Sequence, residues 1–127
     1  MCLRVWPLAA SPDAPGHARR ALRACPLSRQ LEPLRADAEL IISELVGNAV
    51  RHGGTEGLEL RLSSDERELR VEVFDGGRGD PTVSAAAPED ENGRGLYLVQ
   101  HLAEDFGVTQ QSEGKVVWAV LRPVGVA

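Results

Sequence analysis

The chain has 127 residues and a mass of 13.7 kDa, enough for a single domain over residues 1–127 whose core needs no metal or disulfide support. Its formal net charge of -5, from 19 acids against 14 Lys and Arg, argues against a surface built to neutralise phosphates, so no direct nucleic-acid contact is expected. No apolar run reaches spanning length, and the start MCLRVWPLAASPDAPGH lacks a basic region followed by an apolar stretch, so the expectation is a cytoplasmic protein with no membrane segment.

LRVWPLA at residues 3–9 is a short strand interrupted by Pro7, which suits a sheet edge because proline cannot donate to a ladder. Residues 16–25, GHARRALRAC, place Ala18, Ala21, Leu22 and Cys25 on one helical face and arginines on the other. Cys2 and Cys25 stand apart from each other and from His17, His52 and His101, so they read as incidental thiols, and a metal held by Cys or His is not expected. After a connector bracketed by Pro26 and Pro33, LRADAELIISELVGNAVRH sustains helical spacing through Leu34, Ala38, Ile41, Ile42, Leu45, Val46, Ala49 and Val50 until Gly53 and Gly54 stop it.

GLELRLSS and ELRVEVFD then alternate apolar Leu58, Leu60, Leu62, Leu69, Val71 and Val73 with polar residues across a turn at Asp65 and Glu66. That is a hairpin with one wet face. Sheets that bury one side are usually antiparallel, so the predicted fold is α+β, a two-layer α/β sandwich with its helices packed on one face. GGRGDPTVSAAAPEDENGRG has no period and reads as a loop of about twenty residues, long enough to imply function. From Gly95, LYLVQHLAEDF places Leu96, Val99, Leu102 or Ala103, and Phe106 on one helical face, and GVTQQ and KVVWAVLRP close the chain as a hairpin around Ser112 to Gly114.

Three segments carry chemistry. At about 100 degrees per residue, Glu44, Asn48 and Arg51 form a narrow polar stripe on the long helix. Two readings of the stripe stay open on the helix alone: a solvated edge, or the lining of a pocket in which a neutral amide oxygen completes the shell of a magnesium ion and Glu44 acts on a nucleophile. VFDGGRGDP ends a strand in Asp75 and runs into Gly76, Gly77 and Gly79, which suits either a plain glycine turn or a carboxylate that accepts hydrogen bonds from an exocyclic amine. ENGRGLYLVQHL opens a helix at Gly93 and Gly95, a flexible entry or a set of unpaired amides that suit phosphate. The dinucleotide and phosphate-loop glycine patterns are both absent.

Jointly, SELVGNAVRHG, VFDGGRGDP and GRGLYLVQHLAEDFGV resemble, in order and spacing, the three nucleotide boxes of the GHKL (histidine kinase-like) ATPases. Within that superfamily the chain looks like the small branch of anti-sigma factor serine-protein kinases and regulatory ATP-binding proteins. The resemblance implies a Bergerat-type ATP-binding fold with a mixed, mostly antiparallel sheet. It implies ATP and Mg2+ as ligands, Asn48 as the metal ligand, Glu44 as general base and Asp75 as partner of the adenine amine. Gly77 and Gly79 would admit base and ribose, and Gly93, Arg94, Gly95 and Leu96 would form the phosphate-facing hinge and helix start, with Arg51 as a further nucleotide contact.

The branch implies a serine/threonine-protein kinase that holds a sigma factor and phosphorylates an anti-sigma factor antagonist protein, and a homodimer. Two departures favour an alternative, a nucleotide-gated partner-binding module with little or no kinase activity. Lys115 follows Gly114 where the branch often has threonine, and the segment from Asp80 to Asn92 holds no Lys or Arg for a terminal phosphate. A structural domain that binds no nucleotide is the third reading.

Overall fold

The structure is a computed structural model that describes residues 2–52, 57–76 and 91–123. The chain runs β1 (Cys2–Leu8), α1 (Ala14–Ala24), a 3-10 turn (Glu32–Leu34), α2 (Arg35–His52), β2 (Leu58–Ser64), β3 (Leu69–Asp75), α3 (Glu91–Leu102), β4 (Asp105–Gln111) and β5 (Gly114–Leu121). The strands form one sheet in the order β1-β2-β3-β5-β4. All four ladders are antiparallel, so where a mixed, mostly antiparallel sheet was expected, the described pairings contain no parallel member.

Period-two alternation decides which way the sheet faces. Leu58, Leu60, Leu62, Leu69, Val71 and Val73 are buried together with Ala119 and Leu121 against Ile41, Ile42, Leu45 and Val46 of α2, giving the two layers that the hairpin pattern predicts. Full burial of each of these larger aliphatic side chains contributes about 2 kcal/mol. The opposite face is wet, with Arg61 paired to Glu59 at 2.6 Å and Arg70 to Glu72 at 2.9 Å. Arg70 also lies 4.7 Å over the Trp118 ring, whose indole covers Gly107 so closely that a Cβ there would sit 2.7 Å from it. β1 is an edge strand, so Pro7 costs the sheet no ladder that an interior strand would need.

Helix α2 is buried on more than its sheet-facing side because α1 and α3 both pack against it. Arg19 donates to Ser43 Oγ at 2.9 Å and Arg23 to Glu39 at 2.8 Å across the α1–α2 seam. Arg35, the first residue of α2, donates to the carbonyls of Leu22 and Cys25 at 2.8 and 3.1 Å, tying the start of α2 to the end of α1, where the Leu22 carbonyl also accepts from the Cys25 amide at 2.9 Å. No helix among the described residues is long and apolar enough to cross a membrane.

The last third departs from the predicted element bounds. α3 spans Glu91–Leu102, so Gly93 and Gly95 lie inside its first turns and not at its opening. Phe106 belongs to β4, not to the helix. The switch is made over two residues: the amide of Ala103 closes the last helical bond to Val99 at 2.8 Å, and that of Glu104 donates to Val120 at 2.8 Å, already in the direction of the sheet.

Candidate functional site

The polar stripe of α2 is buried at its centre and open at its ends. Asn48 is 7% exposed, Glu44 one turn earlier is half-buried, and Arg51 is exposed. Asn48 is buried because α2 runs between two helices and the sheet, which leaves little of its circumference to solvent near the C-terminal turns. Its Oδ1 finds no hydrogen-bond partner among the described residues. A buried carbonyl oxygen left in this way costs about 1 to 3 kcal/mol. A hard cation that takes neutral oxygens as well as phosphate and water would recover that cost, so the residue fits magnesium. Arg51 turns back along its own helix: a Cβ on Gly47 would stand 3.4 Å from its Nη1 and 3.9 Å from Pro15 of α1.

At the end of β3, Asp75 continues the inward-facing series Leu69, Val71, Val73 and is 1% exposed. A carboxylate there is carried into the layer between sheet and helices by the same alternation that buries the valines. The register sets Lys115 of β5 directly opposite Asp75, and Lys115 is itself only 5% exposed. Gly77 and Gly79 lie outside the described residues.

Gly114, which leads into Lys115, is required by its neighbours. Its φ is +155°, and a Cβ there would collide with the carbonyl oxygen of Asp75 and stand 2.9 Å from Cα of Gly76. Two strands therefore meet backbone to backbone beside the Asp75 side chain. Gly114→Val is expected to cost about 3 kcal/mol through this collision and the strained φ, read as a lowered urea midpoint with an unchanged slope.

The third segment is the start of α3. Gly93, Arg94, Gly95 and Leu96 all fall within its first two turns, and α3 is anchored to the core by Val99, which is fully buried. α2 connects the three segments, because it packs on α3 and on both β3 and β5. Asn48, Asp75 and the N-terminal half of α3 thus belong to elements that share one helix.

Sequence reasoning treated Lys115 only as a missing hydroxyl. It is in fact a buried cation facing the helices, and the signal was available: in KVVWAVL, Lys115 shares its parity with Val117, Ala119 and Leu121. Gln110, opposite Lys115 on β4, was not singled out, and nothing in its local sequence marks it.

A family model described as a histidine kinase-like ATPase domain matches residues 8–121. Among solved structures, the chain is similar to a Mycobacterium tuberculosis protein with RsbU and RsbW domains, with a TM-score of 0.68 and 20% identity over 97% of this chain and 33% of that one. It is also similar to the histidine kinase domain of a blue-light activated histidine kinase from Erythrobacter litoralis, with a TM-score of 0.55 and 29% identity over 71% of this chain and 45% of that one. A third, the histidine kinase AdeS of Acinetobacter baumannii, has a TM-score of 0.55 and 12% identity over 98% of this chain and 70% of that one. The chain thus spans a third of the first of these proteins and under half of the second. With an antiparallel sheet covered by helices, and with the family model spanning both Asn48 and Asp75, the chain belongs to the histidine kinase-like ATPase domain family.

Proposed function

We propose that the protein binds ATP with Mg2+ and acts as a serine/threonine-protein kinase of the anti-sigma type, phosphorylating an anti-sigma factor antagonist and holding a sigma factor in its other complex. The observation that supports nucleotide binding is the burial of two polar groups: Asn48 Oδ1 on α2, with no hydrogen-bond partner among the described residues, and the Asp75 carboxylate at the end of β3. Asn48 holds the metal, which when bound supplies charge neutralisation to the phosphates. Asp75 accepts from the exocyclic amine of the base, while Gly77 and Gly79 leave room for base and ribose. Gly93, Arg94, Gly95 and Leu96 face the phosphates from the start of α3, where helix amides and the dipole favour anions, and Arg51 is a further nucleotide contact.

Phosphoryl transfer asks the protein mainly for positioning and electrostatics. The serine or threonine oxygen of the antagonist forms a bond to the γ-phosphorus as the bond to the ADP oxygen breaks, and Glu44 takes the hydroxyl proton. Glu44 is half-buried and so open to an incoming protein. The sites of action are the cytoplasm and a homodimer. The test is transfer of label from radiolabelled ATP to candidate antagonists. Glu44→Gln is expected to reduce transfer at least about 100-fold while ATP affinity changes less than about threefold. Unchanged transfer removes Glu44 as the base.

A second reading, a nucleotide-gated module that captures a partner with little turnover, is favoured by the buried Lys115 opposite Asp75. It predicts magnesium-dependent ATP binding in calorimetry with no ADP formed over hours.

A further inference from the structure

Residues directly opposite one another on neighbouring antiparallel strands project to the same face. The register pairs Asp75 with Lys115 and Lys115 with Gln110, so three polar side chains stand in a row on the helix-facing side of β3, β5 and β4. They follow the apolar row of Val73, Val117 and Val108. Asp75 and Lys115 are 1% and 5% exposed, and Gln110 is exposed. A buried ammonium is retained only where an opposite charge or hydrogen-bond acceptors compensate it, and Asp75 faces it. The end of the sheet thus offers a negative acceptor and a positive donor side by side.

A lone carboxylate selects strongly for an amine. It accepts from the exocyclic amine of adenine and repels the O6 of guanine, whose lone pairs point at the same place. An ammonium beside it changes that balance, since lysine brings three donors and no acceptor. Adenine can give its amine proton to Asp75 and accept from Lys115 at N1. Guanine can give its N1 and N2 protons to Asp75 and accept from Lys115 at O6.

We propose that Lys115 is a specificity-determining residue of the base subsite that, side by side with Asp75, makes the site accept both adenine and guanine nucleoside triphosphates. This rests on the reading that Asp75 meets the base. Cytosine carries the same amine and ring-nitrogen pair as adenine on a smaller ring, so cytidine triphosphate reports what ring size adds to the polar pairing.

The experiment is calorimetric titration of the full chain with MgATP, MgGTP and MgCTP, for wild type, Lys115→Thr and Lys115→Met. Expected is a wild-type ATP to GTP affinity ratio under about 10, rising at least about 30-fold in both variants, because both bases lose a bond from Lys115 but only guanine then sets its O6 against the Asp75 carboxylate with no cation beside it. Lys115→Met keeps the length of the stem, so a folded protein is available even if Thr leaves a void. A wild-type ratio above about 100, or a ratio unchanged in both variants, overturns the proposal and leaves ATP binding standing. Absence of binding by every nucleotide to all three proteins overturns the ATP-binding reading and this proposal with it.

Discussion

Asp75→Asn is expected to weaken ATP binding at least about 100-fold, because the buried acceptor proposed to meet the amine of the base becomes a neutral amide able to present its own NH2. Three features make the effect large. Asp75 is 1% exposed, so water cannot take over the lost contact. Its backbone is held against Gly114 and Gly76 in a junction without room for a side chain at residue 114, so the strand end cannot shift to find a new partner. And Lys115, directly opposite, then faces a neutral group while still buried, which adds a stability loss of about 3 kcal/mol. Thermal unfolding should stay cooperative with Tm lowered by roughly 10 °C, and calorimetry below that temperature reads the affinity. Full affinity in a folded Asp75→Asn protein would remove Asp75 from the base subsite.

Local periodicity revealed most of the fold. The alternation of Leu58 to Val73 fixes two adjacent strands and their buried face, and the spacing of Ala38 to Ala49 fixes the central helix, because both patterns are written directly by burial. Pro7 marks the edge. The insertion of β5 between β3 and β4 was less visible. KVVWAVL is apolar on both parities, as an interior strand should be, but hairpin partners adjacent in sequence also explain it, and only the β3–β5 ladder decides the order.

The failures have physical causes as well. Gly93 and Gly95 are poor helix formers and therefore looked like an entry, yet α3 begins at Glu91 because tertiary packing through Val99 supports the whole element. Phe106 fits the helical spacing of Leu96 to Leu102 and also the inward face of β4, and a single residue at the end of a pattern cannot separate the two. In the site, Asn48 shows the limit of a helical wheel. A wheel reports angle and not cover, and α2 is buried right round from Leu45 to Ala49 as α1, α3 and the sheet all pack on it. Lys115 shows the converse: its parity with Ala119 and Leu121 marks the buried face, while lysine as a residue type usually faces solvent.

Asn48→Leu should separate function from stability in opposite directions. Oδ1 of Asn48 is buried with no hydrogen-bond partner among the described residues, so the free protein holds a polar atom at a cost of about 1 to 3 kcal/mol. Leucine has nearly the same shape and no polar atoms, and its neighbours Leu45, Val46 and Ala49 are already apolar and buried. The substitution is therefore expected to raise the unfolding free energy of the nucleotide-free protein by about 1 kcal/mol in urea titration. The same change removes the neutral oxygen that a magnesium ion would take, so MgATP affinity is expected to fall at least about 100-fold, and the added stabilisation that ligand gives the wild type, about 2.7 kcal/mol at a hundredfold excess over Kd, should vanish. A residue kept for packing alone would give the first result without the second. A residue kept for a surface contact would give neither, and a destabilised Asn48→Leu protein that still bound MgATP would show that this amide has a partner other than the metal.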